Sequence, residues 1–177
     1  MYVAEGTKIR NIIFGGGQQG GLRSGTENVA GIAAMAMAAE RLMQSREEDV
    51  ERLQAMRDLF TEEVTGLPDV RINGPAQDPE SRELAAPHIV SVSTAGLRAE
   101  VLLHALEEKG IYVSAGSACS THHREVRGTL DAIGLPKEYR EGTLRVSFGV
   151  MNTEEEAKEA AAAFLALVPV LRQFKRR

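Results

Sequence analysis

The chain has 177 residues, 43% hydrophobic and 26% charged, with a formal net charge of −4. This is the composition of an ordinary globular domain, which excludes disordered, collagen-like and low-complexity classes and leaves enough apolar material for a core. A mildly acidic balance offers no electrostatic footprint for nucleic acid, and one cysteine excludes an intrachain disulfide scaffold.

No apolar run reaches the roughly 18 residues that span a bilayer, and Met1–Arg10 lacks the apolar core of a secretory signal. The expected location is the cytoplasm, away from membrane. Tyr2-Val3-Ala4 and Ile12-Ile13-Phe14 read as brief strands or extended connections. The run Gly15-Gly16-Gly17-Gln18-Gln19-Gly20-Gly21 places almost no side-chain constraint on its backbone. Glu27 or Asn28 can then cap a helix. A long helical stretch follows, running from Val29 to Gly66 with a break expected near Ser45. Its Ala- and Met-rich first half predicts burial, and its charged second half predicts a surface helix.

Val70-Arg71-Ile72 is a short strand closed by Asn73-Gly74-Pro75, and 77–83 is a polar loop. Residues 88–94 alternate with period two, the clearest strand signal in the chain. Residues 98–109 form an amphipathic helix stopped by Gly110, with Val101, Leu102, Leu103 and Leu106 on or near its apolar side. Ile111-Tyr112-Val113 is a strand leading into Ser114-Ala115-Gly116-Ser117-Ala118-Cys119. Residues 126–133 read as a short helix ended by Gly134. Residues 143–148 form another strand, placing Leu144, Val146 and Phe148 opposite Arg145 and Ser147. Thr153 caps a last helix through Leu171, with Glu154, Glu155 and Glu156 in its first turn. Strands and helices interleaved at this spacing predict a layered α/β or α+β sandwich.

Three places can carry chemistry. Cys119 sits among Ser, Gly and Ala, without the bulk that buries core cysteines. Nearby His122, His123 and Arg124 can depress its pKa and favour the nucleophilic thiolate. An incidental surface thiol explains the same spacing. Zinc is not assigned, because a structural site wants four ligands and His88 and His104 lie on other elements. Arg145 can offer a planar fork to a carboxylate, or sit in a plain surface ion pair. The segment from Gly20 to Asn28 can place amides and hydroxyls around a phosphate at a helix start, or be a simple linker. It is neither a P-loop nor a dinucleotide fingerprint.

In combination these segments resemble a known family. The stretch 15–28, GGGQQGGLRSGTEN, is similar to the glycine-rich segment of cysteine desulfurases. Ser114-Ala115-Gly116-Ser117-Ala118-Cys119-Ser120 resembles their active-site cysteine loop, of the long kind. Leu144-Arg145-Val146-Ser147-Phe148-Gly149 resembles their substrate-arginine strand.

The resemblance implies a pyridoxal 5'-phosphate enzyme of the class V aminotransferase family, with the aspartate-aminotransferase-like fold. It implies transfer of sulfur from L-cysteine to Cys119 as a persulfide, release of L-alanine, and delivery to a sulfur-acceptor or scaffold protein for iron–sulfur cluster assembly or tRNA thiolation. Arg145 would hold the substrate carboxylate. Thr26 would give its hydroxyl to the cofactor phosphate of a neighbouring subunit, implying a homodimer.

The resemblance also implies that the chain is the carboxyl-terminal portion, without the large domain. Residues 1–28 would be the end of that domain with the glycine-rich segment, 29–66 the long connecting helix, and 67–177 the small domain with the cysteine loop. The family's cofactor-binding lysine lies in a His-Lys motif that Lys8, Lys109, Lys137, Lys158 and Lys175 do not match. The chain alone is therefore expected to be inactive. The alternative from the residues themselves is a cofactor-free thiol module for sulfur carriage or redox chemistry.

Overall fold

The computed structural model of the chain describes residues 3–78, 80–115 and 127–174. The chain divides into two compact units, residues 1–46 and 47–177.

In the first unit, 3–4 and 12–14 form no strand, and Ile12, Ile13 and Phe14 are exposed connections. The glycine-rich segment folds on itself. Ser24 is buried and its hydroxyl donates to the Gly16 carbonyl at 2.7 Å, while the Gly25 amide donates to Gln18 Oε1 at 3.2 Å. Helix α1, Val29–Gln44, starts where Asn28 Oδ1 accepts from the Gly31 amide at 3.0 Å. The side-chain cap replaces one partner that the first helical turn lacks. The expected burial of this helix is overturned: α1 has no buried residue. Its alanines and methionines lack a complementary surface within these residues.

The helical run breaks at Ser45 and resumes as α2, Arg46–Val64. As expected of a surface helix, α2 buries Leu53, Met56, Phe60 and Val64, spaced three and four apart along one face, and leaves most of its charged residues exposed. Strands β1 (Val70–Ile72), β2 (Ile89–Thr94), β3 (Ser114–Ala115) and β4 (Thr143–Ser147) form a sheet in the order β1-β2-β4-β3, every pair antiparallel. Helices α3 (Ala99–Glu107), α4 (Arg127–Ala132), α5 (Lys137–Arg140) and α6 (Glu154–Gln173) complete the unit.

The layered α+β expectation holds, with an antiparallel sheet. The strand expected at 111–113 pairs only at Ser114–Ala115. The 77–83 loop is flanked by 3-10 turns at Pro75–Gln77 and Arg82–Leu84. Arg57, 2% exposed, anchors this loop: it pairs with Asp58 at 2.8 Å and donates to the carbonyls of Arg82 and Ala86.

One hydrophobic cluster joins α2, α3 and α6 to the sheet residues Ile72, Val90, Val92, Ala115, Leu144 and Val146. Its aromatic centre is Phe60, edge-on to Phe148 at 6.1 Å and to Phe164 at 5.9 Å. Gly142 lets two segments cross closely: its carbonyl accepts from the Thr94 amide at 3.0 Å, and a Cβ there would overlap the carbonyls of Thr94 and Leu97. Gly110 (φ +78°) ends α3 with the Ile111 amide donating back to the Leu106 carbonyl at 3.0 Å. No helix among the described residues is long and apolar enough to cross a membrane.

Candidate functional site

Strand β4 shows why Arg145 is available. Alternation turns Leu144, Val146 and Phe148 into the core, leaving Arg145 and Ser147 exposed on the opposite face. Across the sheet Arg145 pairs with Ser91 on β2 and with Ser114 on β3. Arg145 Nη2 donates to Ser114 Oγ at 3.4 Å. A guanidinium has five donors in a plane, so this contact leaves most of the fork for a ligand.

The same face carries a buried polar chain that motif reading missed. Asn73 Nδ2 donates to Ser91 Oγ at 3.0 Å and to Ser93 Oγ at 2.7 Å. Ser93 Oγ lies 2.7 Å from Thr143 Oγ1, which donates to the Tyr139 carbonyl at 3.1 Å. With the Thr143 proton directed to the Tyr139 carbonyl, the Ser93 hydroxyl can donate to Thr143, so the chain runs on to that carbonyl. The signal was in the sequence: Ser91 and Ser93 interrupt the valines of β2 at every second position. Their partner Asn73 reads only as a turn residue.

Cys119 lies outside the described residues, as do His122, His123 and Arg124. The fold fixes where the chain enters that segment. Ala115 pairs with Leu144 beside Arg145, and Cys119 follows Ala115 by four positions. Thr26 lies in the first unit, exposed, between Gly25 (φ +108°) and the start of α1. An exposed hydroxyl beside helix amides fits the phosphate end of a cofactor.

His88 is exposed, and His104 Nδ1 lies 2.8 Å from Glu107 on the surface of α3. Among the described residues no three His, Cys, Asp or Glu side chains form a metal-sized cluster.

A NifS/IcsS protein homolog from Lactobacillus delbrueckii subsp. bulgaricus is 38% identical over 164 residues, covering 93% of this chain and 41% of the relative. A cysteine desulfurase IscS from Clostridium botulinum is 40% identical over 157 residues, covering 88% and 38% respectively. The solved structure of a NifS-like protein superposes with a TM-score of 0.78 at 32% identity, over 96% of this chain and 42% of that one. The chain thus spans about two-fifths of the length of the relatives it matches. Residues 8–159 match the aminotransferase class-V family, a span that takes in the glycine-rich segment, the cysteine segment and the arginine strand. Carrying these three segments in order, the chain belongs to the aminotransferase class-V family.

Proposed function

We propose that the chain is the carboxyl-terminal part of a cysteine desulfurase, carrying the sulfur-accepting and carboxylate-binding groups of a pyridoxal-phosphate enzyme. The observation that carries this reading is the juxtaposition on the sheet: an exposed arginine on β4 beside the strand that runs into the lone cysteine.

Arg145 binds the carboxylate of L-cysteine through paired N–H donors. The Cys119 thiolate attacks the substrate sulfur, forming an S–S bond as the C–S bond breaks. The electron pair left on carbon takes up one proton, leaving L-alanine and a persulfide on Cys119. Pyridoxal phosphate, when bound, supplies the electron sink for that bond breaking. Thr26 would hold the phosphate of pyridoxal phosphate bound to a second subunit, which would make the complete site a homodimer's. The persulfide then passes to an acceptor protein of iron–sulfur cluster assembly or tRNA thiolation.

The sequence contains no His-Lys pair, so the 177 residues alone neither retain the cofactor covalently nor turn over. The test is transfer of labelled sulfur from L-cysteine in the polypeptide as its host cell makes it. Label is expected on Cys119 and is expected to vanish in Cys119→Ser. Label that persists in Cys119→Ser overturns the assignment. In parallel, the 177-residue chain mixed with pyridoxal phosphate and L-cysteine should yield no alanine. Stoichiometric alanine would overturn the claim that the lysine must come from elsewhere.

A further inference from the structure

Arg145 stands between two serines, Ser91 on β2 and Ser114 on β3, each its lateral partner. Side chains at such positions share a face, with Cβ atoms about 5 Å apart. The two hydroxyls nevertheless have different partners. Ser91 accepts from Asn73, a buried amide that also donates to Ser93. Ser114 accepts from Arg145.

Arginine is long and rotamer-rich, and on an exposed strand face nothing intrinsic fixes its fork. Resting on the reading of Arg145 as the carboxylate clamp, we infer that Ser114 is a positioning residue for substrate binding. It draws one Nη toward β3, so that the remaining N–H edge is already oriented when an amino-acid carboxylate arrives. At 3.4 Å the contact is longer than the about 2.7–3.2 Å of an ordinary N–H···O bond, so it guides the guanidinium rather than locking it. The group it serves is a carboxylate, met by a guanidinium whose open edge Ser114 has oriented.

Steady-state kinetics on the polypeptide as its host makes it separates the possibilities. Loss of one long, exposed hydrogen bond predicts that Ser114→Ala raises KM for L-cysteine about 3- to 10-fold with kcat within about twofold. Ser114→Thr, which keeps the hydroxyl, should return KM to within about twofold. Ser91→Ala has the same register without the contact and should leave KM unchanged. In an Arg145→Ala background, itself raised about 100-fold in KM, Ser114→Ala should add nothing, because it acts through the arginine.

An unchanged KM in Ser114→Ala beside a raised KM in Arg145→Ala overturns the positioning role alone. An unchanged KM in Arg145→Ala overturns the carboxylate clamp itself. Should Ser114→Ala fail to fold, Ser114→Cys decides, since it keeps the volume and offers a poor acceptor: an unchanged KM again overturns the role.

Discussion

Helices α1 and α6 are both long and rich in alanine and larger apolar side chains, yet their fates in the chain differ. α6 buries Ala157, Ala160, Ala161, Phe164 and Val168, three and four residues apart, against the sheet unit's core. α1 buries nothing, and leaves Val29, Ile32, Met35, Met37, Leu42 and Met43 in solvent. Apolar content shows that a helix wants a partner surface; it does not show whether that surface lies in the same chain.

The largest expected effect tests this contrast directly. Phe164 is 1% exposed and Met35 66%. Phe164→Ala removes a ring packed on Phe60 and leaves a cavity, costing about 3–5 kcal/mol. Met35→Ala should change stability by less than about 0.5 kcal/mol. Urea unfolding of the two variants checks both values. A cost of about 2 kcal/mol at Met35 would instead show α1 covered in solution, as a homodimer interface would do.

A smaller effect separates polar burial from apolar burial in the second unit. Asn73 is 8% exposed and holds two serine hydroxyls. Asn73→Ala strands those partners, so a loss of about 1–3 kcal/mol is expected. Chemical denaturation measures it, and a loss below about 0.5 kcal/mol would mean that water replaces the amide without cost. No group in α1 offers a counterpart, since nothing there is buried.

Much of the second unit was legible because burial there obeys local periods. The alternation of 143–148 placed Arg145 on the open face and Phe148 in the core, and both stand there. Thr153 at the head of α6 was equally plain, since a hydroxyl before three glutamates is a helix-start signal. The apolar stripe of α2 was legible too, but the burial of Arg57 and Thr61 beside it was not, because a charge and a hydroxyl mark an outward face. The shift from 111–113 to Ser114–Ala115 escaped for another reason: ladder position is set by the partner strand β4, not by β propensity. The contact of Ser114 with Arg145 joins residues 31 apart, which no local pattern encodes. Helix α5 is a single turn after Pro136, too short for a periodic signal.

The smallest effect concerns how the two helices begin. α1 starts on the neutral Asn28 amide with no acidic residue in its first turn. α6 starts on a capping box: Thr153 Oγ1 accepts from the Glu156 amide at 3.2 Å, and Glu156 Oε2 accepts from the Thr153 amide at 3.0 Å. Glu156 Oε2 also accepts from Asn152 Nδ2 at 3.0 Å, and this bond, then the one from Thr153, holds the carboxyl below its ordinary pKa of 4.5. A carboxyl depressed on folding stabilises the fold fully above its unfolded value, and the contribution is lost as pH falls through the folded value. The protection factor of the Thr153 amide, corrected for the intrinsic pH dependence of exchange, should therefore fall on acidification below about pH 4.5, while that of the Gly31 amide, capped by Asn28, stays level. Glu156→Gln keeps a carbonyl acceptor but cannot titrate, so it should flatten the acid limb at Thr153. Equal acid slopes in wild type and Glu156→Gln would assign the loss of protection to other carboxylates and leave the two helix starts alike in their response to pH.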